Sequence, residues 1–267
     1  MIPIRTEQEI DILREANQIV AAVLVRLTEM VQPGMTTGEM DAEGEKLIRG
    51  LGGVPSFLGY QAYPKSTCIS VDEEIVHGIP GKRKLQEGQI VSIDVGAFYR
   101  GYHGDAAITV ACGKVDSRRR RLMEVTDLAL ARAIGVACAG NYLEAIGRAV
   151  ETTCKAAGFK VVRSFVGHGI GEALHEEPQV PNFVTGKRGP QLKAGMVLAI
   201  EPMVNMGKPD ARLLRDGWTA VTADGKPSAH YEHSIVVREG SAEILSATPK
   251  LVWGRQTVPA GPSEPHE

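Results

Sequence analysis

One ten-residue pattern occurs twice in this chain, and it limits the fold more than any other feature. Leu85-Gln86-Glu87-Gly88-Gln89-Ile90-Val91-Ser92-Ile93-Asp94 matches Leu192-Lys193-Ala194-Gly195-Met196-Val197-Leu198-Ala199-Ile200-Glu201. Each copy reads Leu, two residues, Gly, one residue, two apolar residues, a small residue, Ile and a carboxylate. A second pair of segments follows the same logic: Asp105, Ile108 and Val110 stand beside Glu232, Ile235 and Val237. Gly34 also pairs with Gly140, and Gly52 with Gly158. A leucine and a glycine ahead of a strand are common, and one match would carry little. Both ends of each unit agree, however, and each delivers an acid. The inference is two similar α+β halves facing each other across a pseudo-twofold axis, with four carboxylates meeting at the junction.

The remaining organisation fits that scheme. Thr6 and Glu9 have the spacing of a capping box, and apolar residues from Ile10 to Val31 recur at helical spacing, which predicts a helix over 6–31. Thr36 with Glu39 opens a second helix that ends at Gly50 to Gly53. Strands dominate 54–112, a second helical pair covers 117–138 and 142–157, and strands return over 161–245. The expected domain is a single unit over 1–253, with halves at 6–112 and 117–245. Residues 254–267 hold Pro259, Pro262 and Pro265 and few apolar residues, and read as a flexible tail.

Composition excludes several classes. With 267 residues, 43% hydrophobic and 23% charged, the chain is neither disordered nor a disulfide scaffold. A net charge of -2 gives no cationic field for gripping nucleic acid. Cys68, Cys112, Cys138 and Cys154 form no CxxC pair and read as reduced, mostly buried thiols. The apolar run from Ile19 to Val25 is too short to span a bilayer. Arg5, Glu7, Glu9 and Asp11 precede any apolar run, so no secretory signal is expected. These readings place the protein in the cytoplasm, away from membranes.

Four carboxylates at a domain junction would repel one another and lose hydration on burial. Divalent cations remove that objection: two ions close together need bridging carboxylates and can share a hydroxide. Asp and Glu with a single His suit Mn, Fe, Co or Zn. Taken singly, Asp94 could face water, Asp105 could be a turn residue, Glu201 could end a strand and Glu232 could be exposed. Their places in the repeat favour the metal reading. Gly167-His168-Gly169-Ile170-Gly171 sets an imidazole among glycines, which suits close approach by a metal or substrate or, more plainly, a loop histidine. His77 and His175 carry less on their own.

At this point the residues closely resemble the type I methionine aminopeptidases. Gly59 to Ser70 followed by His77-Gly78-Ile79-Pro80 is similar to that family's substrate-pocket signature. Ile93-Asp94-Val95, His103-Gly104-Asp105, the Gly-His-Gly-Ile-Gly run, His175-Glu176-Glu177-Pro178, Ile200-Glu201-Pro202-Met203 and Tyr231-Glu232-His233 resemble its other blocks, over about residues 2–250. The resemblance implies an α+β pita-bread fold with antiparallel sheet and outer helices. It also implies two divalent metal ions (Co, Mn, Fe or Zn) on Asp94, Asp105, His168, Glu201 and Glu232, with Asp105 and Glu232 bridging. His77 and His175 would contact substrate, Glu201 would shuttle a proton, and Tyr60, Tyr63, Cys68 and Trp218 would line a methionine pocket. The implied activity is removal of the initiator methionine from nascent polypeptides with a small second residue, by a metal-activated hydroxide. Because Ile2 is large, this chain is expected to keep Met1.

Three departures bear on pocket shape: Phe57, Gln61 and Leu174 replace the family's frequent choices. His230 is also outside the pattern and reads as a surface histidine, with an added ligand as the alternative. Lys82-Arg83-Lys84 and Arg118 to Arg121 read as solvated faces or a helix start, the sharper alternative being a contact with the ribosome surface. The chain is expected to act as a monomer. Two rival readings have the same fold: an Xaa-Pro-directed peptidase, and a catalytically silent binding module. An extra N-terminal domain, usual for the first, is not expected here, and the intact acids and His168 argue against the second.

Overall fold

The structure is a computed structural model and describes residues 2–247. Met1 and the tail expected over 254–267 lie outside the described residues. The first half contains α1 (Glu7–Glu29), α2 (Thr37–Gly50), β1 (Val54–Pro55), β2 (Thr67–Val71), β3 (Glu74–Val76), β4 (Ile90–Tyr99) and β5 (Tyr102–Ala111). The second contains α3 (Ser117–Val136), α4 (Glu144–Ala156), β6 (Lys160–Val161), β7 (Gly167–Gly169), β8 (Glu176–Val180), β9 (Val197–Ile200), β10 (Met203–Asn205), β11 (Ala211–Leu213), β12 (Ala220–Thr222), β13 (Ser228–His230), β14 (Glu232–Val236) and β15 (Glu243–Ile244).

Local chemistry sets the helices. Thr6 and Thr36 each cap a helix reciprocally with the glutamate three residues on, Glu9 and Glu39. The α1 stripe Ile10, Leu13, Val20, Leu24 and Leu27 is fully buried, and α1 packs on β4 and β5. Each such side chain stabilises the fold by about 1.5–3 kcal/mol, so Leu24→Ala, which also leaves a hole, costs about 2–5 kcal/mol. In the second half α3 packs on α4 and reaches β9 and β14.

The sheet explains the repeat. Nine antiparallel strands include the path β1-β4-β5-β14-β9-β7-β8, with β2 on β4 and β15 on β14. The repeated segments are β4 with β9 and β5 with β14. They therefore sit symmetrically about a line between β5 and β14, where Glu232 pairs with Ala107. Backbone angles repeat as well: φ is 92° and 90° at Gly34 and Gly140, 84° and 80° at Gly52 and Gly158, and 87° at both Gly88 and Gly195. Only glycine adopts that left-handed region without strain, so the same turns close both halves. Two three-stranded sheets, β13-β10-β6 and β11-β12-β3, flank the large one.

One partly buried residue of each basic run is paired within the fold, while Lys82, Lys84, Arg118, Arg120 and Arg121 are exposed. Arg83 pairs with Glu74 at 2.6 Å, and Arg119 with Asp116 at 2.7 Å and Asp72 at 3.2 Å. Cys68, Cys112 and Cys154 are buried and free, while Cys138 is partly exposed. Among the described residues no helix is long and apolar enough to cross a membrane.

Candidate metal centre and substrate cavity

Five neighbouring strands bring one side chain each to the middle of the sheet. Across the sheet these are Asp94 on β4, Asp105 on β5, Glu232 on β14, Glu201 just past the end of β9, and His168 on β7. Asp105, Glu232 and His168 are buried, and one donor atom from each falls within 4.8 Å of the others. Asp105 and Glu232 thus lie on the two strands flanking the pseudo-symmetry line, with Asp94 on β4 and Glu201 at the end of β9 on the next pair out.

The glycines around His168 have a different purpose from the one the sequence suggested. A Cβ on Gly167 would sit 2.3 Å from the Ala199 carbonyl oxygen, and one on Gly169 would sit 2.3 Å from that of Glu177. They are needed so that β7 fits between β8 and β9. His168 is therefore a strand residue rather than a loop histidine, and Nδ1 lies 2.9 Å from the Gly169 carbonyl oxygen. That acceptor places the proton on Nδ1 and leaves the Nε2 lone pair for the cluster. Nε2 lies 3.6 Å from Glu201 Oε1.

The acids are strained electrostatically. Burial pushes Asp94 up to about 7 and Glu201 up to about 8. Asp105 and Glu232 are raised well above the carboxylate range by burial, and then by each other's neighbours, Asp94 and Glu201 among them. Buried oxygens Asp94 Oδ1, Asp105 Oδ1 and Glu232 Oε1 have no hydrogen-bond partner. Orphaned carboxylate oxygens facing one another beside an imidazole lone pair fit a cation site, because positive charge satisfies all of them at once. Burial holds His168 down to about 3 and His77 down to about 4, so both are neutral near pH 7.

Beside this cluster opens a cavity of about 570 Å³, lined by every residue the sequence assigned to the site. Tyr63, Cys68 and Trp218 form an apolar wall with Phe57 and Leu174. Tyr63 meets Trp218 edge-on at 5.1 Å, and its hydroxyl donates to the carbonyls of Gly78 and Thr67 at 3.0 and 3.1 Å. His77, with φ of 60°, stands edge-on to Phe165 at 5.5 Å and to Trp218 at 6.1 Å. Gln61, also left-handed at φ 45°, brings its amide to 3.3 Å from the Tyr60 hydroxyl, which lies 2.7 Å from His175 Nδ1. Arg5 anchors the loop around His175 through Glu176 at 2.6 and 2.8 Å.

One expectation is overturned. His230 is not on the surface: it is 1% exposed, and its Nε2 lies 3.4 Å from Glu201 Oε2. The signal was present, since residues two apart on extended chain share a face and Glu232 faces the cluster.

Comparison with known proteins agrees with this geometry. The signature of metallopeptidase family M24 matches residues 11–239. Methionine aminopeptidase 1 of Bacillus subtilis (strain 168) is 46% identical over 246 residues, 92% of this chain and 99% of its own. Methionine aminopeptidase of Escherichia coli (strain K12) is 42% identical over 247 residues, 92% of this chain and 94% of its own. The crystal structure of methionine aminopeptidase from Thermotoga maritima superposes with a TM-score of 0.91 at 43% identity, covering 93% of this chain and all of that one. Prolidase from Pyrococcus furiosus, at 23% identity and a TM-score of 0.73, shares the fold.

Proposed function

Because the chain belongs to metallopeptidase family M24, as a methionine aminopeptidase, we propose that it removes the initiator methionine from nascent polypeptides whose second residue is small. Two divalent cations would be held by Asp94, Asp105, His168, Glu201 and Glu232. The observation that carries this reading is the convergence of these five side chains, four from strands of one sheet and Glu201 from just past the end of β9, at a cavity with an apolar wall. Charge counting supports two ions: four carboxylates are neutralised by two dications, which relieves the burial cost on all of them. When bound, such ions supply Lewis acidity that makes a shared water acidic near neutral pH, and an anchor for a free α-amine.

The protein's own groups divide the remaining work. Asp105 and Glu232, on the central strands, would be ligands common to both ions. Asp94 would hold one ion, and His168 with Glu201 the other. Glu201, which lines the cavity, would accept a proton from the attacking water and pass it to the departing amine. The Gln61 amide donates to the Tyr60 oxygen, and with the Tyr60 hydroxyl in turn donating to His175 Nδ1 the ring carries its proton on Nε2. His175 Nε2–H is then free to donate to the scissile carbonyl oxygen as negative charge develops there. The wall of Tyr63, Cys68 and Trp218 suits a flexible thioether chain, with sulfur against aromatic edges. His77, held rigid between Phe165 and Trp218, contacts the leaving amide and leaves room for only a small second side chain. A contact between the exposed Lys82, Lys84, Arg118 and Arg120 and the ribosome belongs to the same reading.

The test uses metal-stripped protein reloaded with Mn(II) or Co(II). Methionine release is followed from Met-Gly, Met-Ala and Met-Ile peptides, with an Xaa-Pro peptide as control. The expected outcome is metal-dependent release from the first two only, abolished by His168→Ala. Release from the Xaa-Pro peptide, or none from Met-Ala despite bound metal, would reject the reading.

A further inference from the structure

His230 is placed in an unusual way for a buried imidazole. It is 1% exposed, and neither ring nitrogen has a hydrogen-bond partner. Its main chain, by contrast, is held on both sides. The backbone N–H donates to Thr109 Oγ1 at 2.9 Å, and that hydroxyl donates to the His230 carbonyl at 2.7 Å. Thr109 Oγ1 also meets Ser92 Oγ at 2.9 Å, so two hydroxyls of the β4–β5 hairpin fix the residue. The ring then faces Glu201, with Nε2 3.4 Å from Oε2, short of hydrogen-bond geometry. The other oxygen of that carboxylate, Oε1, is the one near His168. Glu201 therefore stands between two imidazoles. It lines the cavity, and His230 does not.

Burying an imidazole with both nitrogens unpaired is costly, and an apolar side chain of similar size would avoid the cost. The arrangement makes sense if a partner becomes available in another state of the site. Carboxylates that bind metal are commonly held by a hydrogen bond from behind, and such partners strongly influence metal affinity. We propose that His230 is a positioning residue for the metal centre. When Glu201 is ionised against a cation, His230 Nε2–H donates to Oε2 and fixes the carboxylate so that Oε1 is the oxygen presented beside His168. This rests on the metal reading of Glu201 given above.

The experiment compares wild type, His230→Leu and His230→Gln by chelator competition for Co(II) and by the visible spectrum of the Co(II)-loaded protein. His230→Leu is expected to bind Co(II) about 10–100-fold more weakly and to alter the spectrum. His230→Gln keeps a donor and should recover most of the affinity. Wild-type affinity and spectrum in His230→Leu would overturn the proposal, and so would a loss of metal-free thermal stability in that variant with affinity unchanged. Should wild type itself bind no Co(II), the metal reading has failed rather than the role of His230. Should His230→Leu not fold, ¹⁵N shifts of labelled histidine in Zn(II)-loaded wild type decide the matter. A protonated Nε2 is expected, and an unprotonated Nε2 would overturn the assignment.

Discussion

In the first half, the acid-bearing strands β4 and β5 run into each other through a tight turn at Arg100 and Gly101, where φ is 49° and 95°. In the second half, β9 and β14 pair just as directly, yet residues 201–231 intervene and build β10 to β13. That excursion carries Trp218 and His230, and the chain ahead of β9 carries His168 and His175. The symmetric part supplies matched negative charge: an aspartate pair from one half and a glutamate pair from the other. What makes one side of that charge differ from the other comes from the unsymmetrical part, in the form of nitrogen donors and of Trp218, which packs edge-on against Tyr63 of the first half. Duplication accounts for a place to put cations, and divergence accounts for what is done with them.

The sharpest way to break this comparison is to treat Asp105 and Glu232 as mates. Asp105→Asn and Glu232→Gln should each lower kcat/KM for Met-Ala by at least about 1,000-fold, the upper range for losing one electrostatic group at a reacting centre, with metal content falling alongside. Effects on metal per chain that differ greatly between the two would show that the inner pair is not equivalent. His175→Ala tests the unsymmetrical part: kcat should fall about 100-fold while elemental analysis finds wild-type metal. Metal loss in that variant would put His175 among the ligands instead.

A smaller effect appears in stability. Asp94 titrates at about 7 and Glu201 at about 8 in the fold, against about 4 in an unfolded chain. The metal-free fold therefore holds more protons than the unfolded chain, and stability falls as pH rises through that window. His77 and His168, lowered to about 4 and about 3, act the other way, but only as pH falls below about 6.5. Between pH 6.5 and 8 the acids dominate, so the Tm of metal-free protein should drop by a few degrees. Metal-loaded protein should show the reverse trend, because protons compete with cations for the same oxygens. A metal-free Tm that rises over this range would contradict the assignment. The smallest change expected is Tyr60→Phe, which removes one hydrogen bond to His175 and should cost kcat up to about tenfold, read from peptide kinetics with KM unchanged.

What could be read from the chain and what could not divide along physical lines. Caps at Thr6 and Thr36, the paired left-handed glycines and the alternating strands are local, so the residues beside them specify them. The position of β14 between β5 and β9 is not local, and no periodicity in 232–236 announces it. His230 reads as a surface residue in the sequence because the exposure of a short strand such as β13 depends on what packs over it. The glycines flanking His168 were noticed, but their cause lies in β8 and β9, which only the assembled sheet brings alongside. Arg119 reads as solvent charge in the sequence because one of its partners, Asp72, lies 47 residues earlier.

The central place of β14 also bears on how the chain reaches its working state. The strand that closes the middle of the sheet follows all but one of the other described strands in the chain, and its partner β5 lies more than a hundred residues earlier. Until β14 arrives, β5 and β9 each present an open edge of unpaired amides and carbonyls, the kind of edge that recruits other chains. The pairing is also of high contact order, which slows its formation. A chain stalled before Glu232 would thus be inert and prone to associate. Closing the sheet removes both hazards in one step and brings Glu232 into the acid cluster in the same event.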